Sequence, residues 1–110
     1  MTPISFQCLP IEHAGEPGLR LLGSARSTDA DALSERLEAA SKDAKAIFYL
    51  DLSQTRLLDS AALGAIVYLH NRLRAGKRKL VVLDPSPTCL HILQITALNR
   101  VLEISSPAQT

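Results

Sequence analysis

Two unbroken apolar runs, Ala46-Ile47-Phe48-Tyr49-Leu50 and Leu80-Val81-Val82-Leu83, flank a segment of helical periodicity, and this arrangement constrains the fold more than any other feature of the chain. A strand with apolar side chains at consecutive positions buries both of its faces, the habit of interior strands in parallel sheets. Between the runs, Ala62, Ile66, Leu69 and Leu73 recur at the spacing of one helical face. Strand, helix, strand in that order calls for parallel strands joined by a right-handed crossover, with the helix packed on the sheet.

The remaining segments extend this pattern. Ile4 to Leu9 and Leu19 to Leu22 read as short strands joined by a turn containing Gly15, Pro17 and Gly18, an antiparallel pair at one edge. Asp29 to Lys42 carries Leu33, Leu37 and Ala40 on one helical face, with Glu35 and Glu38 outside and Thr28 or Asp29 as cap. It leads into a strand over Ala46 to Ser53. A helix from about Ser60 to Ala75 follows, stopped by Gly76, and then a strand over Lys79 to Asp84. Ser86 and Pro87, a cap followed by proline at the first helical position, start a helix running to about Ala97 with Leu90, Leu93 and Ala97 inward. Val101 to Ile104 reads as a last edge strand, and Ser105 to Thr110 as a loose tail. The expectation is one α/β domain over residues 1–110, ordered from about 3 to 104. Its mixed, mostly parallel sheet has four to five strands, packed with about three to four helices.

With 46% apolar residues among 110, such a domain can bury a genuine core without disulfides or metal. Cys8 and Cys89 lie far apart and have no companion at zinc-ligand spacing, so two free, mostly buried thiols are expected. No apolar run reaches the roughly 20 residues that span a bilayer, and the N-terminus lacks the features of a signal peptide, which suits a cytoplasmic location. Twelve basic against eleven acidic side chains leave a formal charge of +1 and no global field for steering nucleic acid. One local basic cluster stands out, Arg72, Arg74, Lys77, Arg78 and Lys79. Its cations complement a helix C-terminus, and an anionic lipid or partner is the alternative reading.

The chemistry concentrates at Asp59-Ser60, a carboxylate and a hydroxyl where strand gives way to helix. Unpaired backbone N–H groups in the first helical turn favour an anion there, a phosphate included. A nucleophile elbow would need glycines two residues to either side of Ser60, where Leu58 and Ala62 stand. His70 lies ten residues along the same helix, roughly 15 Å away, too far to act as a base, and nothing places His13 or His91 closer. Asp51, Asp59 and Asp84 fall at or beyond strand C-termini, where open parallel sheets bind ligands, which invites a magnesium or phosphoryl-transfer reading. No Gly-rich phosphate loop accompanies them, and the competing reading has Asp51 and Asp59 bonding loop N–H groups or capping a helix, with Asp84 in a turn. Ala61, Gly64, Tyr68 and Asn71 make a second, small and weakly polar face on the same helix, open to close approach by another surface. Gly64 packing near a neighbouring loop is the other account of it.

Asp51-Leu52-Ser53, then Leu58-Asp59-Ser60-Ala61-Ala62-Leu63-Gly64, then Leu69 and Leu73, closely resemble the STAS domain family, of the anti-sigma factor antagonist type. The resemblance continues through Gly76, the strand Leu80 to Leu83, and Pro85-Ser86-Pro87 into the final helix, and so covers most of the chain. It implies a small regulatory α/β domain, not an enzyme and without a cofactor, whose Ser60 is phosphorylated by an anti-sigma factor with serine kinase activity. In such systems the unmodified domain captures the anti-sigma factor and frees the sigma factor. Asp51, Asp59, Ala61, Ala62, Leu63 and Gly64 are then the expected partner-binding residues, Asp59 presenting the hydroxyl or coordinating the partner's magnesium. A phosphatase is a further candidate partner, and an edge strand offers a route to a weak homodimer. Two positions depart from the family pattern: Ala62 where glycine is common, and Arg26 after Gly23-Ser24-Ala25 where an acid often stands. Related STAS proteins also serve as constitutive subunits of phospholipid-transport ATPase complexes and in stressosome-like scaffolds.

Overall fold

Residues 5–105 are described by a computed structural model of the chain. It opens with a hairpin of β1 (Phe6–His13) and β2 (Glu16–Ala25), antiparallel from Phe6 opposite Gly23 to His13 opposite Glu16. The turn is two residues, Ala14 and Gly15, both at positive φ (53° and 80°), the twist that suits a tight hairpin. Next come α1 (Ala30–Ser41), β3 (Ile47–Asp51), β4 (Thr55–Leu58), α2 (Ser60–Ala75), β5 (Lys79–Leu83), α3 (Pro87–Ile95) and β6 (Glu103–Ser105). The six-stranded sheet runs β1-β2-β3-β5-β6, with β4 also paired to β2, and every pairing except the first is parallel.

The ten residues of β2 serve two partners in succession. Gly18 to Arg20 pair with Tyr49 to Asp51 of β3, and Gly23 to Ala25 pair with β4 across a register shift at Gly23 and Ser24. Gly23 sits at φ 92°, and a Cβ there would lie 2.7 Å from the Ser5 carbonyl oxygen, so only glycine fits this bulge.

Alternate strand residues divide the apolar interior. Leu19, Leu21, Phe48, Leu50, Leu80 and Val82 point into one core with Leu33 and Leu37 of α1, Ile66, Leu69 and Leu73 of α2, and Cys89 and Leu93 of α3. Tyr49, Val81 and Leu83, on the other side of the pleat, gather with Ile11 and Ile47 in a small cluster to which no helix contributes. The fold is therefore two-layered, with the helical layer on one face of the sheet.

Several boundaries differ from the sequence expectation. The sheet has six strands rather than four to five, because Thr55–Leu58, read as a connection, pairs with β2. Pro17 and Gly18 belong to β2 and not to the turn, and a Cβ at Gly18 would sit 2.7 Å from the Tyr49 carbonyl oxygen. The third helix ends at Ile95, and Ala97 is exposed at φ 60°, leading into a short 3-10 turn over Leu98–Arg100 instead of facing inward. Gly76 caps α2 at φ −92°, while Lys77 takes the left-handed conformation expected of the glycine. Ser105 pairs with Leu83 instead of opening the tail. Ile4 and residues 106–110 lie outside the described residues.

Candidate functional site

Asp59 is the junction residue. Its backbone is extended (φ −87°, ψ −178°), its N–H donates to the Ala25 carbonyl at 3.2 Å, and its carbonyl accepts the Leu63 N–H at 2.9 Å as α2 begins. Oδ1 accepts the Ala62 N–H at 3.1 Å, the bond by which an N-cap satisfies one orphan donor of the first turn. Oδ2 accepts the Ser27 N–H from the loop between β2 and α1. One carboxylate thus ties the end of β2, the loop at 26–28 and the start of α2.

Ser60, the first residue of α2, is exposed, and its hydroxyl makes no hydrogen bond among the described residues. With capping assigned to Asp59, the Ser60 hydroxyl has no structural duty. The local field there suits added negative charge, since helix N-termini carry about half a positive elementary charge.

The other expected site residues separate into two groups. Ala61 is half-buried and Gly64 exposed, and a Cβ on Gly64 would meet nothing within 4 Å, so that glycine does not pack against a loop. Tyr68 continues the same face at 57% exposure, with the Arg72 guanidinium 5.9 Å from its ring centroid. Arg72 also pairs with Glu38 of α1. Ala62 and Leu63, by contrast, are 0% and 6% exposed and belong to the core, so their side chains do not reach the surface of the domain.

Asp51 is also buried and fully engaged. Its Oδ1 accepts the Ser53 N–H at 2.8 Å and its Oδ2 accepts Arg20 Nε at 3.0 Å. Burial pushes this carboxyl up, but the Ser53 hydrogen bonds and the Arg20 guanidinium outweigh burial and hold it below the ordinary range. It anchors the β3–β4 turn. Asp84, at φ 47°, donates its N–H to the Ser105 carbonyl at 2.7 Å in the turn after β5.

Missed from sequence were Ser27, whose bond to Asp59 fixes the exposed loop of Arg26, Ser27 and Thr28 beside Ser60, and Leu57, 39% exposed on β4. From sequence, Arg26 stands where the family often has an acidic partner contact, which is expected to alter recognition of a standard anti-sigma kinase. Its place beside the α2 N-terminus depends on a contact between residues 32 apart in sequence. Of the histidines, His13 stands edge-on to Tyr49 at 4.5 Å, His91 is exposed and His70 is buried in α2. No cluster of three or more metal-ligating side chains occurs among the described residues, and no described helix is long and apolar enough to cross a membrane.

A family model described as Mlab, STAS domain, matches residues 11–103. No curated protein matches the chain. Among solved structures, an anti-sigma factor antagonist from Mycobacterium paratuberculosis is similar at a TM-score of 0.81 and 22% identity, covering 96% of this chain and 89% of that one. The anti-sigma factor antagonist SpoIIAA in its unphosphorylated form is similar at 0.72 and 17% identity, covering 94% and 91%. The phosphorylated form of SpoIIAA, a Bacillus cell fate determinant, is similar at 0.63 and 19% identity, covering 94% of each chain. These likenesses extend over nearly the whole fold, and together with a family match that takes in all three helices and most of the sheet they place the chain in the STAS domain family.

Proposed function

We propose that this domain is a cytoplasmic anti-sigma factor antagonist-like regulator that binds a kinase-type anti-sigma factor and is switched by phosphorylation of Ser60. The observation that carries this reading is the division of labour at the α2 N-terminus: Asp59 caps the helix and Ser60 is left exposed and unengaged. The fold is shared with SpoIIAA, a protein known in an unphosphorylated and a phosphorylated form. In this reading the domain is the substrate of the kinase and not itself an enzyme.

A phosphate on Ser60 adds about −1.5 to −2 charge at a position where first-turn N–H groups and the helix dipole tolerate it. The domain keeps its fold, and a partner surface packed on Ser60, Ala61, Gly64 and Leu57 meets a new, hydrated charge. The carboxylate of Asp59 supports the switch by holding the backbone that presents the hydroxyl. Both of its oxygens already accept backbone N–H groups, which leaves little capacity for a partner's magnesium.

The direct test incubates the full chain with the anti-sigma kinase encoded nearest its gene and ATP, maps phosphate by mass spectrometry, and compares capture of the kinase before and after. Phosphate on Ser60, its absence from Ser60→Ala, and release on modification are expected. Phosphate at another residue, or equal labelling of Ser60→Ala, overturns the switch.

A second reading rests on Arg26. This cation occupies the loop bonded to Asp59, where the family often has an acid, and so favours a different docking partner. The domain would then be a constitutive subunit of a phospholipid-transport ATPase complex, or a stressosome-like scaffold. Pull-down of an ATPase by wild type and Ser60→Ala alike supports this reading.

A further inference from the structure

Ten residues and roughly 15 Å along α2 from Ser60 lies a buried polar group with no hydrogen-bond partner among the described residues. His70 is 6% exposed, and neither Nδ1 nor Nε2 has a hydrogen-bond partner among the described residues. An imidazole always carries at least one donor, and a buried polar group left unpaired costs about 1–3 kcal/mol. Both ring nitrogens are closed off from the surface, so His70 borders the neighbouring space without presenting either nitrogen to it.

The space beside it is a cavity of about 350 Å³ lined by His70, Arg74, Arg78, Lys79, Val101 and Glu103. That volume is in the range of small-molecule sites. Its charge is biased positive. Lys79 Nζ and Glu103 offset one another at 3.2 and 3.3 Å, while Arg74 makes no ion pair or hydrogen bond among the described residues. Arg78 uses Nη1 to donate to the Ser41 and Ala44 carbonyls at 2.9 and 3.2 Å, which holds its guanidinium at the wall without neutralising it. The negative end of the α2 dipole subtracts part of this field, less than the two guanidinium charges supply. Val101, half exposed, and Leu80 add apolar surface at the margin.

We propose that this cavity is a binding site for a phosphate monoester, held by Arg74 and Arg78, with the His70 ring at its margin. Guanidinium groups match phosphate oxygens geometrically as well as by charge. The site lies apart from Ser60 and does not depend on phosphorylation there. The shared chemistry admits a free phosphorylated metabolite or the headgroup of an anionic lipid.

The test titrates the full chain with inorganic phosphate while following the three histidine rings by nitrogen-detected NMR, and in parallel measures co-sedimentation with phosphatidylcholine vesicles containing phosphatidic acid. Saturable movement of the His70 ring signals, with His13 and His91 unmoved, supports the site. Loss of one charge-assisted contact in Arg74→Gln weakens binding by about tenfold, and Lys77→Gln, altering a cation outside the lining, leaves it unchanged. Saturation by free phosphate without vesicle binding assigns a soluble ligand, and Arg74-dependent co-sedimentation assigns a lipid headgroup. Equal, non-saturating shifts of all three histidines without Arg74-dependent co-sedimentation, or binding unaltered in Arg74→Gln, overturn the proposal. Ser60→Ala retains the binding, so the outcome is independent of the regulatory switch.

Discussion

The Asp59 carboxylate accepts the backbone N–H of Ser27, 32 positions earlier in the chain, while capping α2 through the N–H of Ala62. This pair of bonds locks the loop after β2 against the first turn of α2 and makes the presentation of Ser60 a property of the fold. Asp59→Ala removes both bonds and is expected to cost about 0.5–2 kcal/mol, the usual range for a lost N-cap. Asp59→Asn, an equally good cap, recovers most of it. Urea unfolding measures the stability, and amide exchange at Ser27 and Ala62 locates the effect. An alanine variant with wild-type stability and unchanged exchange at both amides would show that the cap does not hold the loop.

Acid stability should depend on Glu16. Its carboxylate accepts the N–H groups of Lys45, Ala46 and Ile47 at 3.0, 2.7 and 2.9 Å, fixing the approach to β3, and those bonds hold its pKa below the ordinary value. A carboxyl lowered on folding stabilises the protein above its unfolded pKa, about 4.3, and that contribution disappears as pH falls through the folded value. Asp51, also lowered, adds in the same direction. Melting temperature followed from about pH 6 to pH 3 should therefore fall less steeply for Glu16→Gln than for wild type, from a lower starting point. Parallel curves for the two proteins would remove Glu16 from the acid transition.

His70 works in a higher window. Burial first, and then the Arg74 charge, push its pKa below the ordinary value, so the folded protein keeps the ring neutral where the unfolded chain takes up a proton. Arg74, Arg78, Lys79 and Glu103 line the cavity on the same side, and three of these four disfavour an imidazolium. Below about pH 6.5 the unfolded state binds more protons, so stability declines as pH falls from neutral toward the folded pKa. Replacing both unpaired nitrogens with apolar atoms in His70→Leu is expected to be neutral or stabilising near pH 7 and to flatten the decline. Urea midpoints at about pH 7.5 and pH 5.5 for both proteins decide it. An equal decline in His70→Leu would assign the effect to other groups.

How much of this was legible in the sequence follows the range of each interaction. The bounds of α2 and the parallel sense of β3 and β5 rest on local periodicity and on the strand, helix, strand order, and were readable. Strand β4 was not: Thr55 to Leu58 is too short to carry a pattern, and becomes a strand because β2 extends far enough to pair with it. Asp59 and Ser60 are both good capping residues, and the choice between them is made by the Ser27 N–H, a tertiary partner. Leu63 stands off the Ala62, Ile66, Leu69 and Leu73 stripe, yet is 6% exposed because α2 contacts α1 as well as the sheet, which widens its buried face. Asp51 drew notice as a carboxylate at a strand end, and its neutralising partner Arg20 comes from the neighbouring strand.

Gly64 tests the docking face from the side of the helix. It sits inside α2, exposed, with open space where a Cβ would go, so nothing within the domain requires glycine there. Glycine in a helix interior is about 0.8–1 kcal/mol less favourable than alanine, and Gly64→Ala should stabilise the isolated domain by roughly 0.4–1 kcal/mol. A residue that lowers stability and touches nothing is explained if a partner approaches closely along Ser60, Ala61 and Gly64. Gly64→Arg should then keep the fold and lose the partner, measured by thermal unfolding of the free domain and by capture of the kinase or ATPase identified as its ligand. A Gly64→Arg protein that binds the partner as tightly as wild type would move the contact surface off this face of α2.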